Sequence, residues 1–401
     1  MRLDQVLESE LCAGCGLCVS ILGAQRARMS LSAAGYLRPE ISKPLTRAEN
    51  LLIDSVCPGG GLDFASEHKS FTTVWGPVLD TYVGFASDPV LRFRASSGGI
   101  LSALAQHAVN TGRADYVLHV GAQVQAPWLN ETLQSRQSPS VAAGAGSRYA
   151  PSSPLVDIVQ QLERDGRAVV IGKPCDIAAL RMYARQNPLI DQKVVMMLAF
   201  ICGGVPSARG IEVLLRRMNV APEEVLSFRY RGYGWPGEAC ATLKNGSQKT
   251  LSYAETWGTV LSHYVQKRCK ICPDGMGAFA DVVCGDAWYG DERGDPTFDE
   301  RDGRSLVISR TRKGSAFLAE AKQSGCVELQ AVTLGDMARM QPSQIRRTQL
   351  TLSRLWAMSF AGRRVPTYRG LHLVRAGVQA GITANVKSFL GALRRVVRGT
   401  L

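Results

Sequence analysis

Arg167-Ala168-Val169-Val170-Ile171-Gly172-Lys173-Pro174-Cys175 is the stretch on which the fold turns. Its apolar run closed by a glycine reads as a buried strand, and a helix follows from about Asp176 to Arg185. Outward from this point the same alternation recurs. Thr81 to Ala86 and Asp115 to Gly121 read as strands on either side of a helix from Ile100 to Asn110, which Gly112 suits as a stop. Val194 to Ile201 reads as a strand before a helix from Ala208 to Met218. Ala280 to Ala287 and Ser305 to Arg310 are later strands, the second leading to a helix from Ser315 to Lys322. Strands alternating with helices predict an α/β sheet with parallel pairing. Between Phe228 and Tyr253, Asn245-Gly246 predicts a hairpin, and Ala254 to Lys267 reads as a helix.

The cysteines carry the chemistry. Cys12, Cys15 and Cys18 recur every third residue, with Cys57-Pro58 downstream, which is the ligand grammar of a [4Fe–4S] cluster. Gly14 and Gly16 give the loop its freedom in φ, and Cys57 suits the fourth corner. Structural zinc is the weaker reading, because zinc favours two separated Cys-x2-Cys pairs or a Cys2His2 set. Cys175, Cys202 and the Cys269-x2-Cys272 pair, all near Gly or Pro, suggest a second cluster, with Cys284 a rival fourth ligand. Cys240 and Cys326 read as core residues. An odd total of eleven cysteines and no signal peptide point to a reducing, cytoplasmic location rather than a disulfide framework.

Composition is that of an ordinary globular chain, 45% hydrophobic and 20% charged over 401 residues. No apolar run reaches the length needed to span a bilayer. The formal charge of +13 is unevenly placed: 12 of the 47 Lys and Arg, and none of the 34 acids, fall after Asp336. The body is near neutral and the tail basic.

Ser96-Ser97-Gly98-Gly99, between a strand and a helix, offers free N–H groups and a helix dipole to a phosphate, or else a plain cap and turn. Gly144 to Ser153, with Ser147 and Arg148, is a second loop that suits a diphosphate or nothing beyond a turn. Tyr230 to Gly237 is rich in aromatics and glycine, a composition that stacks on a flat ring or closes a loop. Asp286 follows a strand end, where ligands sit in open α/β sheets; it either binds a ribose or flavin edge or caps a helix. No general acid stands out: His263 reads as a packed residue and Asp274 as a turn cap.

Taken in order, Cys12-x2-Cys15-Gly-x-Cys18 with Cys57-Pro58, Ser96-Ser97-Gly98-Gly99, Gly172 to Leu180, Phe200-x-Cys202 through Pro206-Ser207, Tyr230-Arg231-Gly232 and Cys269-x2-Cys272-Pro273-Asp274 through Asp286 resemble the coenzyme F420 hydrogenase/dehydrogenase beta subunit family. That family includes 7-hydroxymethyl and 8-vinyl chlorophyll reductases. The resemblance implies an α/β (α+β) fold: a small N-terminal ferredoxin-like iron–sulfur module over residues 1–65, a mixed-sheet flavin-binding domain over 75–335, and a basic helical extension over 336–401. It implies FAD and two [4Fe–4S] clusters, one on Cys12, Cys15, Cys18 and Cys57, the other on Cys175, Cys202, Cys269 and Cys272. Ser96, Ser97, Gly98, Gly99, Ser147, Lys173 and Asp286 are the expected flavin contacts.

The expected function is an oxidoreductase that takes electrons from ferredoxin or a similar carrier and reduces a small organic substrate. The alternative within the class is F420-dependent chemistry; the alternative outside it is a nucleic-acid-binding protein with a structural metal, which only the tail charge supports. In the tail, Leu371, Val374, Val378, Ile382, Val386, Phe389, Leu393 and Val397 recur at threes and fours, predicting one amphipathic helix. Packing on the body or on a second copy is favoured over contact with an anionic membrane, because Gly377, Gly381 and Gly391 weaken a free-standing helix.

Overall fold

The computed structural model describes residues 1–64, 71–164, 166–290 and 297–401. The expected end of the first module, residue 65, lies outside the described residues. An eight-stranded mixed sheet forms the centre, made of β1 (Asp80–Ala86), β2 (Tyr116–Ala122), β3 (Asn130–Ser135), β4 (Ala168–Gly172), β5 (Val194–Phe200), β6 (Val282–Asp286), β7 (Ser305–Ser309) and β8 (Val327–Ala331). Its spatial order is β8-β1-β7-β6-β5-β4-β2-β3. β2, β4, β5 and β6 pair in parallel, and the flanking pairs are antiparallel.

The parallel strands are mostly apolar because both faces are covered. Val117, Val169, Leu198 and Val282 pack on one side against α1 (Ile100–Asn110) and the helix Arg312–Gln323. Their neighbours Leu118, Val170, Met197 and Val283 pack on the other side against α2 (Pro174–Ala184). Pro174 occupies the first turn of α2, where no intrahelical N–H is needed, and the Asp176 carboxylate accepts the Lys173 N–H at 2.9 Å.

The N-terminal segment contributes the helices Leu17–Leu22 and Arg47–Val56 and a hairpin of Ala27–Leu31 on Leu37–Ile41. Asn245-Gly246 turns the strand Ala239–Leu243 into Gln248–Leu251, with Gly246 at φ +84°. Two expectations fail. Ala254 to Lys267 is not one helix but a π turn at Ala254–Gly258, a 3-10 turn at Leu261–Tyr264 and a short helix Lys267–Lys270. The tail is not one helix either: α3 (Leu373–Ala380) and α4 (Ile382–Val397) break at Gly381, φ +77°.

The extension is not set apart from the body. Thr367–Arg369 pairs in parallel with Gly61–Asp63, and Leu355, Met358, Ala392 and Val396 share the core beneath the sheet with Cys12, Cys15 and α2. No helix among the described residues is long and apolar enough to cross a membrane.

Candidate redox site

The Cys12–Cys18 loop closes over a small cavity lined by Cys12, Cys15, Cys18, Cys57 and Pro58 with Leu3, Leu17, Met29, Ile53 and Val56. Gly14 and Gly16 take φ of +76° and +88°, and a Cβ on Gly16 would lie 2.9 Å from the Val156 nitrogen. The loop is therefore tight against the body: Ser153 Oγ donates to the Gly14 carbonyl at 2.7 Å and the Leu155 N–H to that of Cys15 at 3.0 Å. Burial raises the Cys12, Cys15 and Cys18 thiols and pushes Cys57 up to about 11. As thiolates in this apolar pocket they need positive charge between them, as iron would supply. N–H donors are already aimed at the sulfur, Gly14 to Cys12 Sγ at 3.4 Å among them.

The second set is assembled from distant segments. Cys175 opens α2, Cys202 follows β5, Cys269 lies in the short helix Lys267–Lys270 and Cys272 just after it. The four come close enough for their charges to interact, Cys175 with Cys202 and Cys269, and Cys202 with Cys269 and Cys272. Burial raises Cys175 and pushes Cys202 up to about 12. At Cys284, inside β6, burial alone acts on the thiol. Among the described residues no three His, Cys, Asp or Glu side chains converge on a single metal ion.

Two buried cations reach both sets: Lys173, near Cys15 and Cys175, and Arg268. Arg268 donates through Nε and Nη2 to the Pro58 carbonyl at 3.0 and 2.8 Å, and its charge reaches Cys57 as well as Cys175, Cys269 and Cys272. The extension closes the second set from outside: Arg347 donates to the carbonyls of Cys202 at 2.8 Å and Cys269 at 2.5 Å. Sequence reading gave no role to Arg268, although it adjoins the Cys269-x2-Cys272 pair, or to Arg347, which lies in no motif.

A cavity of about 330 Å³ lies at the carboxyl ends of the parallel strands and reaches Cys202, a size ordinary for a small-molecule site. Ser96, Ser97, Gly99, Ser147, Lys173 and Asp286 line it. Gly99, at φ +77°, precedes α1 without a side-chain cap, so the first turn of α1 faces the cavity with its N–H groups free of one. Ser147 Oγ donates to Ser96 Oγ at 2.7 Å. Gly98 is not among the lining residues: its N–H donates to Ser305 Oγ at 2.9 Å, and a Cβ there would meet the Gly84 carbonyl at 2.5 Å. Ser97 Oγ donates to the Arg304 carbonyl at 2.9 Å.

Lys173 is buried, its Nζ 2.8 Å from Asp176 and donating to Ser152 Oγ at 2.9 Å. The Asp286 carboxylate takes both arms of Arg231 at 2.9 and 3.0 Å and the Trp235 indole N–H at 2.9 Å. Arg231 in turn lies over the rings of Tyr253 and Trp288. Asp286 thus holds an aromatic wall in place through Arg231. The Arg148 guanidinium is taken up by Asn130 and by the carbonyls of Pro127, Leu129 and Phe228. His119, also in the wall, is bonded to Ser135 Oγ at 2.9 Å, and burial holds its pKa at about 4.

A buried thiol-rich centre joined to a strand-end cavity defines an electron-transferring α/β oxidoreductase subunit, and comparison with known proteins gives the same class. Residues 81–160 and 165–334 match the N-terminal and C-terminal regions of the coenzyme F420 hydrogenase/dehydrogenase beta subunit. The chain belongs to this family.

Among its relatives is the F420-dependent formate dehydrogenase 1 subunit beta of Methanococcus maripaludis, 26% identical over 63% of this chain and 62% of the relative. The match thus spans less than two thirds of that relative's length. The coenzyme F420 hydrogenase subunit beta of Methanothermobacter thermautotrophicus is 25% identical over 64% of this chain and 86% of the relative. Its counterpart in Methanococcus voltae is 26% identical over 61% and 81%. A chain of the F420-reducing [NiFe] hydrogenase complex from Methanosarcina barkeri shares the fold at a TM-score of 0.55, with 20% identity over 76% of this chain and 99% of that one.

Proposed function

We propose that the chain is an iron–sulfur flavoprotein in which electrons pass from the Cys12, Cys15, Cys18 and Cys57 centre to the Cys175, Cys202, Cys269 and Cys272 centre and on to FAD in the strand-end cavity. The observation that carries this reading is that Cys202 belongs both to the second thiol set and to the cavity wall. When bound, the clusters supply one-electron transfer and the flavin converts it to two-electron chemistry.

The chain's own residues supply position and charge. The first turn of α1 and the Ser96–Ser147 pair suit the flavin diphosphate, and the aromatic wall held by Arg231 suits a flat ring. The Lys173–Asp176 pair stiffens the floor, and Arg268 places positive charge between the thiol sets.

The two-electron partner is read in two ways. The names of the relatives favour the deazaflavin F420; the other reading is an organic substrate with electrons from ferredoxin or a similar carrier. A protein partner accompanies either reading, and a reducing, cytoplasmic location suits cysteines committed to clusters and not to disulfides. Anaerobic purification with iron, sulfide and flavin analysis tests the core of the proposal: about eight iron and eight sulfide per chain with one flavin are expected, and absence of flavin with redox-silent metal overturns it. Stopped-flow bleaching of F420 then separates the two partners.

A further inference from the structure

The extension packs inside out. Where α3 and α4 touch the body they do so through few and mostly small residues: Leu373, Ala376, Gly377, Ala392 and Val396 are buried. Most of the larger apolar side chains point away. Val374, Val378, Ile382, Val386 and Leu390 recur every fourth residue across both helices and are all exposed, Val378 by 76% and Ile382 by 84%. On the neighbouring helix Thr351–Phe360, Trp356 and Phe360 share a face by their four-residue spacing and are exposed too. The Phe360 ring meets Phe389 of α4 at 6.1 Å, which joins that face to the stripe.

The sequence pattern anticipated packing through Leu371, Val374, Val378, Ile382, Val386, Phe389, Leu393 and Val397, and the structure bears this out for only part of the set, since Val374, Val378, Ile382, Val386 and Val397 are exposed. Of its packing residues only Leu371 is buried, with Phe389 and Leu393 half-buried. The bend that aligns the two helices is held by Asn385, whose side-chain amide donates to the Gly377 and Gly381 carbonyls at 2.7 and 2.8 Å.

Charge identifies the occupant. Arg375, Lys387, Arg394 and Arg398 are exposed on α3, on α4 and just after it, and no acid follows Asp336 to neutralise them. Among the described residues only Arg339 and Arg364 of the extension form ion pairs, with Asp336 and Glu8. A two-fold contact through this face would set cation against cation, which disfavours a second copy. The matched family regions end at residue 334, before the extension begins. An apolar stripe with flanking Arg and Lys and exposed Trp and Phe, on helices too short and too polar to span a bilayer, is the pattern of an interfacial anchor.

We infer that the Val374–Leu390 stripe, with Trp356 and Phe360, is a docking surface for an anionic lipid bilayer. The apolar side chains enter the headgroup boundary and the arginines and Lys387 meet lipid phosphates. This holds whichever redox partner the body uses.

Flotation of the full-length, anaerobically purified protein with phosphatidylcholine vesicles, and with vesicles of roughly 3:1 phosphatidylcholine to phosphatidylglycerol, tests it. The protein should rise with the anionic vesicles and not with the neutral ones, and added salt should release it. V378E/I382E/V386E should abolish flotation, and K387Q/R394Q/R398Q should weaken it on the order of a hundredfold, both with unchanged visible spectra because the altered side chains face outward. Failure of the wild type to float with anionic vesicles, or undiminished flotation of both variants, overturns the inference. So does a wild-type dimer in light scattering that V378E/I382E/V386E converts to monomer, since the face would then belong to a second copy.

Discussion

The two thiol sets reach similar surroundings by opposite routes. In the first, three of four cysteines sit in one seven-residue loop whose left-handed glycines determine its shape. In the second, the cysteines come from a helix start, a strand end and a short helix, and nothing but the sheet brings them together. The local set depends on loop conformation; the distributed set depends on the packing of β4, β5 and α2. The difference implies that the second set, which also borders the cavity, is more exposed to changes elsewhere in the body.

Removing a ligand from each set breaks or sharpens this contrast most directly. Cys15→Ser should lower iron from about eight to about four per chain and leave flavin content unchanged. Cys202→Ser should lower iron by the same amount and also disturb flavin binding, because Cys202 lines the cavity. Iron analysis with visible spectroscopy reads both, and a Cys202→Ser protein that keeps all its iron would remove Cys202 from the second set.

Next in size is Asp176→Asn. It leaves Lys173 buried against Ser152 without its counter-charge, for which a loss of about 3–5 kcal/mol is expected, measured by denaturant unfolding. Because Lys173 is bonded to Ser152 and Ser153 supports the Cys12–Cys18 loop, the local set should also lose iron faster on mild unfolding. Equal rates in variant and wild type would separate the two regions.

His119 gives a pH-dependent probe at the far side of the cavity. Its folded pKa near 4 lies below the ordinary value of about 6.5, so between those pH values the unfolded chain takes up a proton that the folded chain refuses. Stability present above pH ~6.5 is therefore lost as pH falls toward 4, by about 3 kcal/mol for this one group. His119→Asn should flatten that part of the stability–pH curve, and an unchanged slope would show that His119 is not held neutral.

The smallest effect is expected at the bridge. Arg268→Met removes a buried positive charge shared by both thiol sets, which should make the more affected centre harder to reduce by on the order of 60 mV. Potentiometric titration followed by EPR assigns the shift to one set or both. A shift confined to one centre would show that Arg268 belongs to that centre and does not bridge.

Much of the parallel core was legible because strands covered on both faces read as plain apolar runs: Val169 to Ile171 and Val194 to Ala199 announce themselves. Edge strands were not. β3, Asn-Glu-Thr-Leu-Gln-Ser, and β8, Val-Glu-Leu-Gln-Ala, are half polar and become strands only because β2 and β1 offer them free edges. At the site, the spacing of Cys12, Cys15 and Cys18 was readable, whereas the pairing of Asp286 with Arg231 and the reach of Arg347 to Cys202 and Cys269 were not.

From its sequence alone this chain determines a triad loop rich in glycine, an alternating α/β core, and a tail of twelve cations without an acid. These are properties of neighbours along the chain. Tertiary structure decided which distant thiols lie near one another, that Gly98 and Asp286 serve packing and pairing, and which side of the tail faces water. Each of those depends on contacts between segments well separated along the chain, where local spacing carries no information and tertiary packing selects the partners.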